Sequence, residues 1–217
     1  MPDPTPTKPE PAHIWFFFDR SGSMQALYQD VVLGLQEFIR EQRLADPRAR
    51  LTLVQFDSEN AHDVILDGKR LAKVDEARAT KRFEPRAATP LYDAIAALIR
   101  RADKHVAKGG DDADQIVVIF TDGFENASAH CNRTKAFELI KQRRERDWTF
   151  VFMGANQDSY EAGEALAIDR GNARNWAATS AGTRRGLDDA SKGVTRQMLR
   201  PREMRREYKD RFFEEEE

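Results

Sequence analysis

The sequence has little of what would place it in a secreted or membrane-bound class. Only one of its 217 residues, Cys131, is a cysteine, which excludes an internal disulfide framework and suits a reducing compartment. No run of about eighteen apolar residues occurs, so we expect no transmembrane helix. The first residues have neither the basic start nor the apolar stretch of a signal peptide. Together these absences predict a cytoplasmic protein with no membrane partner.

The chain also lacks an excess of charge of either sign. It has 35 basic and 37 acidic residues, which gives a formal net charge of −2 at pH 7. No overall field therefore attracts nucleic acid. A local basic patch would have to be built from Arg143, Arg144, Arg146, Arg184 and Arg185. Acidic residues are interleaved with these arginines, which favours solvated helix faces and predicts no nucleic-acid partner.

The two ends of the chain differ in composition from its middle. Residues 1–12 contain five prolines among polar residues, which predicts an extended, flexible lead-in. Residues 201–217 are rich in charge and finish in Glu214–Glu217, which predicts a frayed helix or a solvated tail. Residues 13–200 alternate between strand and helix patterns without repeats or long linkers. We therefore expect one domain over residues 13–200.

Short apolar runs of β-branched and aromatic residues predict the strands. The clearest runs, Ile14–Phe18 and Ile116–Phe120, are apolar throughout. Such runs are typical of strands that are buried on both faces at the centre of a parallel sheet. Less regular runs predict further strands at Leu51–Phe56, Trp148–Met153 and near Trp176, and an edge strand at Val64–Leu66.

Apolar residues at helical spacing predict four helices between these strands. Their apolar stripes begin at Met24, Leu91, Ala136 and Leu187. The second helix has a start signal, because Thr89 is a common N-cap residue and Pro90 suits the first helical position. Strands that alternate with helices predict an α/β fold with a mostly parallel sheet covered on both faces. In open sheets of this kind, ligands bind beyond the carboxyl ends of the strands.

Polar residues follow the two clearest strands at that end. Asp19, Ser21 and Ser23 come after the first strand, and Asp122 follows the second strand in the sequence TDG. Neighbouring strands lie about 4.8 Å apart, so the two aspartates would be side by side if the strands are neighbours. Adjacent carboxylates repel unless a cation lies between them. Because the other nearby groups are hydroxyls, we expect a hard divalent cation with oxygen ligands.

These residues match the motif of a known family. The D-x-S-x-S segment at residues 19–23, then Thr89 and then Asp122, closely resembles the complete metal-ion-dependent adhesion site of von Willebrand factor type A domains. The resemblance covers about residues 13–200. It implies a doubly wound sheet of six strands with one antiparallel edge strand and helices on both faces. It also implies that Mg²⁺ or Mn²⁺ is ligated, partly through water, by Asp19, Ser21, Ser23, Thr89 and Asp122.

The setting is similar to the single-domain intracellular members of bacteria and phages, some of which work with AAA-type ATPases or in stress systems. Serine and threonine hydroxyls bring no charge, so an ion held with at most two carboxylates keeps positive charge and an exchangeable water. A glutamate or aspartate of a partner protein can replace that water. The predicted function is therefore metal-dependent protein binding without catalysis.

Two other function classes stay open. A metal-assisted phosphoester hydrolase is one, although the sequence has no P-loop, no dinucleotide-binding motif and no histidine placed to activate a serine. A nucleic-acid-binding type A domain of a ribonucleoprotein is the other, and the near-zero net charge argues against it. His130 and Cys131 are interpreted as loop residues, because catalytic partners are usually brought together by the fold.

Three further features could contribute to a site at this end of the sheet. Asp57 and Asn156 follow predicted strands, so each could contact a ligand there, although a turn is the more common role for Asp57. The acidic run Glu214–Glu217, with Phe212 and Phe213 beside it, could compete for the metal as a tethered ligand. A solvated charge run is the favoured interpretation of that segment.

Overall fold

Six strands form one sheet in the computed structural model, which describes residues 10–107 and 114–214. They are β1 (His13–Asp19), β2 (Arg50–Phe56), β3 (Asp63–Arg70), β4 (Gln115–Thr121), β5 (Thr149–Gly154) and β6 (Ala173–Asn175). The strand order is β3-β2-β1-β4-β5-β6. All neighbouring pairs are parallel except β2 and β3, which are antiparallel. The predicted mostly parallel sheet with one antiparallel edge strand is confirmed.

The two central strands are buried on both faces, as their unbroken apolar runs predict. Every residue of β1 and of β4 is buried. Side chains alternate between the faces of a strand, so Ile14, Phe16 and Phe18 contribute to one half of the core. Trp15 and Phe17 contribute to the other half. The sheet thus separates two apolar layers, and each layer needs helices to cover it.

Helices supply that cover on both faces. They are α1 (Tyr28–Ala45), α2 (Glu76–Thr80), α3 (Leu91–Ala107), α4 (Arg133–Arg144), α5 (Ser159–Glu164), α6 (Ser180–Leu199) and α7 (Arg202–Glu207). Buried residues of α1 and α6 share the first half of the core, and those of α3 and α4 share the second. The four predicted helices are confirmed, except that the first stripe begins as a 3-10 turn at Gly22–Leu27. Within residues 10–107 and 114–214, no helix is long and apolar enough to cross a membrane.

The segment after α6 packs on the domain. Of the two structures predicted there, a helix is present as α7, whereas residues 201–214 do not form a solvated tail. Phe212 is 1% exposed, and its ring lies against Gly193 of α6, where an added Cβ would come within 2.9 Å of three ring atoms. The backbone N–H of Phe212 donates to the side chain of Asn172 at 2.8 Å. Arg205 is 2% exposed. Its buried charge is compensated by Asp114, which lies at 2.8 Å, and by backbone carbonyls to which the guanidinium donates. The packing of these two side chains therefore holds the segment on the domain, although most of its residues are charged.

This packing places the end of the described chain far from the predicted site. Asn172 also donates to the carbonyl of Phe150 at 2.8 Å, and Phe150 lies at the beginning of β5. Phe212 is therefore anchored near the amino-terminal end of the sheet, whereas the site was predicted at the carboxyl-terminal end. The predictions for the lead-in at residues 1–9 and for the glutamates at 215–217 lie outside the described residues.

Candidate metal centre

The carboxyl ends of β1 and β4 meet at one edge of the sheet. The two strands are parallel neighbours, and Phe18 is aligned with Phe120. Asp19 ends β1, and Asp122 directly follows β4. The sheet order therefore meets the condition under which the two aspartates were expected to lie side by side.

The five predicted site residues lie within hydrogen-bond contact of one another. The Ser23 hydroxyl donates to Asp122 Oδ1 at 2.7 Å, and the hydroxyls of Ser21 and Ser23 are 3.0 Å apart. Thr89 Oγ1 lies 3.5 Å from Asp19 Oδ2. Asp19, Ser21, Thr89 and Asp122 are all at most 3% exposed, whereas Ser23 is exposed. The resulting oxygen cluster is buried below and open to solvent on the side of Ser23.

Thr121 belongs to this cluster, although sequence reasoning did not single it out. Its hydroxyl donates to Asp19 Oδ2 at 2.6 Å and is 3.2 Å from the backbone N–H of Gly123. The backbone N–H of Ser21 donates to the other oxygen, Asp19 Oδ1, at 2.7 Å. These two bonds fix the orientation of the Asp19 carboxylate. The only sequence signal for Thr121 is its position between the end of the strand and Asp122.

The Thr89 side chain faces the cluster and does not cap α3. The prediction that Thr89 is the N-cap residue of this helix is therefore wrong. The first backbone N–H groups of α3 are capped from another loop: Tyr92 N donates to Glu125 and to Ser128, and Asp93 N donates to Ser128. Because the β4–α4 loop supplies these acceptors, the Thr89 hydroxyl is left to point toward Asp19. Glu125 and Ser128 are more than 30 positions away from the start of α3, so the sequence around Thr89 did not predict that they cap the helix.

The environment of both aspartates disfavours a negative charge. Burial raises the pKa of Asp19 to about 6, although hydrogen bonds from Thr121 and Ser21 oppose this rise, and the nearby Asp122 adds to it. Burial also raises the pKa of Asp122, and its hydrogen bond from Ser23 acts in the opposite direction. A cation between these two carboxylates would stabilise their charged forms and so remove the cost of burying them.

The space around Gly123 shows which oxygen atoms of the cluster lie near one point. A Cβ added at Gly123 would lie 3.2 Å from Thr89 Oγ1, 3.9 Å from Asp19 Oδ2 and 3.9 Å from Ser23 Oγ. Three of the five oxygen-bearing side chains therefore lie near one point, where a Cβ would crowd Thr89 Oγ1. Carboxylate and hydroxyl oxygens are the ligands of hard divalent cations such as Mg²⁺ and Mn²⁺. The donor set fits such an ion.

The cluster differs from sites made of many carboxylates or imidazoles. Among the residues that the structure describes, no group of three or more His, Cys, Asp or Glu side chains could hold a metal ion. Asp19 and Asp122 are the only two such side chains among the five predicted ligands, and the other three are hydroxyls. Any ion bound here would keep part of its positive charge.

A buried ion pair lies directly behind the cluster. Arg20 is 4% exposed and its Nε donates to Asp57 Oδ2 at 2.7 Å, while its Nη1 donates to Asp63 Oδ2 at 3.0 Å. Burial alone would raise the pKa of Asp57, but the backbone N–H groups of Asn60 and Glu59 and two guanidinium groups hold it below its usual range. Asp57 is thus a turn residue and an ion-pair partner, and no hydrogen bond joins it to the five predicted ligands.

The same pair connects the loops that carry the ligands. Arg86 Nε donates to Asp57 at 3.1 Å, and the backbone N–H of Arg86 donates to the carbonyl of Arg20 at 2.8 Å. The next residue, Ala87, has a φ of +58° and accepts a backbone hydrogen bond from Gly22 at 3.0 Å. The loop that leads to Thr89 is therefore attached to the turn that carries Ser21 and Ser23.

Two remaining candidates have supporting or unrelated positions. Asn156, with a φ of +58°, donates from Nδ2 to the carbonyl of Asp122 at 2.9 Å, so it holds the loop after β4 and does not itself complete the oxygen cluster. Cys131 is 6% exposed, and burial raises the pKa of its thiol. A buried thiol with a raised pKa is a poor nucleophile, as its interpretation as a loop residue predicts.

Comparison with known proteins gives a family and a set of similar folds. A model of the von Willebrand factor type A domain matches residues 13–191. No curated protein shows a significant match. The pilus adhesin SpaC from Lactobacillus rhamnosus GG is 12% identical with a TM-score of 0.66, over 88% of this chain and 32% of that chain.

Two other solved structures are similar to this chain. The manganese-loaded TRAP protein of Plasmodium vivax is 16% identical with a TM-score of 0.58, over 82% of this chain and 73% of that chain. A von Willebrand factor type A protein from Catenulispora acidiphila is 14% identical with a TM-score of 0.59, over 86% of this chain and 43% of that chain. At these identities the structures show similarity of fold alone. The family model covers most of the sequence, and the chain therefore belongs to the von Willebrand factor type A domain family.

Proposed function

We propose that this protein is a metal-dependent protein-binding module. In this proposal Asp19, Ser21, Ser23, Thr89 and Asp122 hold one Mg²⁺ or Mn²⁺ ion, directly or through water. When bound, the ion offers a Lewis-acid position to a glutamate or aspartate carboxylate of a partner protein. The observation that carries the proposal is the set of oxygen atoms that face Gly123, with Ser23 on the side open to solvent.

The charges of the five proposed ligands explain why the site would favour a carboxylate of the partner. Asp19 and Asp122 supply at most two negative charges, and the hydroxyls of Ser21, Ser23 and Thr89 supply none. The site as a whole therefore stays attractive to one more carboxylate. Thr121 and the backbone of Ser21 orient Asp19, which supports its role as a ligand held in place for the ion.

Two relatives agree with this function without establishing it. One solved structure with this fold is a pilus adhesin, and another is manganese-loaded. The class of partner proposed here, an AAA-type ATPase or a stress-system protein in the cytoplasm, rests on the resemblance of the motif and its setting alone.

The two alternative functions have less support. A metal-assisted phosphoester hydrolase needs a base that activates the attacking water, and the hydrogen bonds that the structure describes for the five proposed ligands include none to a histidine. A nucleic-acid module needs free basic groups. Three of the candidate arginines are instead paired with carboxylates: Arg143 with Asp103, Arg144 with Asp169 and Asp210, and Arg184 with Asp30. We therefore propose binding without catalysis or nucleic acid.

Affinity capture from cell extract tests the proposal. The immobilised wild-type protein should retain a partner in Mg²⁺ and release it when a chelator is added. Thr89→Ala should lower the captured amount strongly, because Thr89 contributes only a side-chain oxygen to the cluster. Ser180→Ala, which removes a hydroxyl near Asp30 on another part of the surface, should leave capture unchanged. Capture that is equal in Mg²⁺ and chelator would contradict the proposal.

A further inference from the structure

A groove lies directly beside the oxygen cluster, between the start of α3, the β4–α4 loop and α5. Its volume is about 380 Å³, and its walls include Leu91, Phe124 and Leu166 together with the charged residues Glu125, Asp158 and Glu161. We call it the Phe124 groove. Phe124 is 61% exposed, which makes it one of the few large apolar side chains open to solvent among the described residues.

The Phe124 groove is continuous with the candidate metal centre. Phe124 directly follows Gly123, the residue that the cluster oxygens face. Gln157 lines the groove and donates from Nε2 to the carbonyl of Gly123 at 3.0 Å. One short piece of backbone thus forms the wall of both sites. A peptide that binds through one residue at the cluster can therefore place a neighbouring residue in the groove.

The loop that presents Phe124 is held in place by hydrogen bonds. The Glu125 carboxylate accepts from the backbone N–H groups of Ala127 and Ser128 at 2.9 and 2.7 Å, and from the hydroxyl of Ser128 at 2.7 Å. Asn126 exchanges hydrogen bonds with the backbone of Thr89, at 2.9 and 3.1 Å. An exposed aromatic ring on a fixed loop loses little freedom when it is covered, which is typical of an anchor for binding.

The charges of the groove are opposite to those of a metal-loaded site. Three carboxylates and one guanidinium, that of Arg133, lie along its walls. Glu161 is exposed, and none of the ion pairs among residues 10–107 and 114–214 includes it. A long basic side chain has an apolar stem that can cover Phe124 and a cationic end that suits the carboxylates. A second acidic side chain would be repelled there.

We propose that the Phe124 groove binds a lysine or arginine of the partner, located within a few residues of the acidic residue that the metal centre captures. The inference deepens the proposed function and rests on it. The metal centre and the groove then recognise an acidic and a basic residue in one segment, so the protein selects among the many exposed carboxylates of a cell. Phe124 and Glu161 are the specificity-determining residues of this selection.

Short synthetic peptides with one fixed glutamate test this inference. Two peptide sets carry either lysine or alanine at each position around the glutamate, and binding is measured by fluorescence polarisation in Mn²⁺ and in chelator. We expect at least one lysine position to strengthen Mn²⁺-dependent binding about fivefold, which is the size of one cation–π contact plus one exposed ion pair. Glu161→Lys and Phe124→Ala should each remove most of this preference while the affinity for Mn²⁺ alone stays the same.

The control is Glu203→Lys, which makes the same charge change on an exposed residue of α7 that does not line the groove. It should keep the preference for lysine. Mn²⁺-dependent binding that shows no preference for lysine, or a preference that persists in Glu161→Lys, would overturn this inference and leave the proposed function standing. Peptide binding that does not depend on Mn²⁺ at all would overturn the proposed function and this inference with it.

Discussion

The guanidinium of Arg20 donates to the carboxylate of Asp57 at 2.7 Å in the interior of the protein, one residue away from the candidate ligand Asp19. Both side chains are buried, with exposed fractions of 4% and 0%. The pair connects the end of β1 with the turn after β2. Because Asp57 also accepts from Arg86, the pair positions the loop that leads to Thr89. Arg20, the middle residue of the D-x-S segment, thus has a structural role of its own.

Removal of the Arg20 guanidinium should strongly destabilise the fold. Arg20→Met keeps much of the side-chain volume but leaves the Asp57 carboxylate buried with less compensation, so the free energy of unfolding should fall by about 3 kcal/mol. Arg101→Met is the control, because Arg101 forms an exposed pair with Asp67 at 2.6 Å, which should be worth about 1 kcal/mol or less. Urea denaturation measures both. An equal decrease of the unfolding free energy in the two variants would show that the buried pair contributes no more to stability than the exposed pair.

Phe212 should be as important to stability as a residue of the central core. Phe212→Ala leaves a cavity against α6 and should lower the free energy of unfolding by about 3–5 kcal/mol. Phe124→Ala is the matched control, because it removes the same atoms from a side chain that is 61% exposed. Its effect should stay within about 0.5 kcal/mol. If both variants unfold at the same denaturant concentration, the packing of residues 201–214 described above is wrong.

The regular parts of this fold could be predicted from the sequence because their signals are local. Ile14–Phe18 and Ile116–Phe120 are unbroken apolar runs, and the D-x-S-x-S segment lies directly after the first of them. Contacts between distant residues left no such signal. Arg20 and Asp57 are 37 positions apart, and Phe212 meets Asn172 across 40 positions. The charged residues around Phe212 masked its burial, since composition does not show which side chains find partners.

A methyl group at Gly123 should weaken metal binding without unfolding the protein. In Gly123→Ala the new Cβ lies 3.2 Å from Thr89 Oγ1, inside the space that the oxygens enclose. We expect the Mn²⁺ affinity to fall about tenfold or more, equivalent to about 1.4 kcal/mol. Gly22→Ala is the control at the same edge, since its Cβ would meet one atom, the carbonyl oxygen of Ala87, at 3.4 Å. Calorimetric titration of both variants tests this prediction. An unchanged Mn²⁺ affinity in Gly123→Ala would contradict the binding of the ion at the oxygen cluster beside Gly123.

His13 should make the protein less stable in mild acid. The pKa of His13 is lowered to about 3, mainly by burial and also by the nearby His105 and Arg50, while Asp67 opposes this shift. The unfolded chain takes up a proton near pH 6.5, whereas the folded protein does not until about pH 3. The unfolding free energy therefore falls as the pH drops through this window, by up to about 1.4 kcal/mol per pH unit.

The variant His13→Phe removes this titration and keeps an aromatic ring against Trp15. Between about pH 6.5 and about pH 4 the unfolding free energy of this variant should change less steeply with pH than that of the wild type. The difference in slope should be up to about 1.4 kcal/mol per pH unit, which corresponds to one proton. His130→Phe makes the same substitution at an exposed histidine and is the control for the loss of a histidine from the chain. Urea denaturation over this pH range makes the comparison. Identical slopes in wild type and His13→Phe would show that His13 does not act as a buried neutral group.

The most direct test of the central claim is a calorimetric titration of Mn²⁺ into the wild type and into Asp19→Asn. Asparagine keeps the shape of Asp19 but removes the charge, so the account predicts one site in the wild type and at least tenfold weaker binding in the variant. Asp188→Asn, an equal charge change on α6, should bind Mn²⁺ like the wild type. In chelator, Asp19→Asn should be no less stable than the wild type, because burial disfavours the Asp19 charge. Equal Mn²⁺ affinity in wild type and Asp19→Asn would contradict the account.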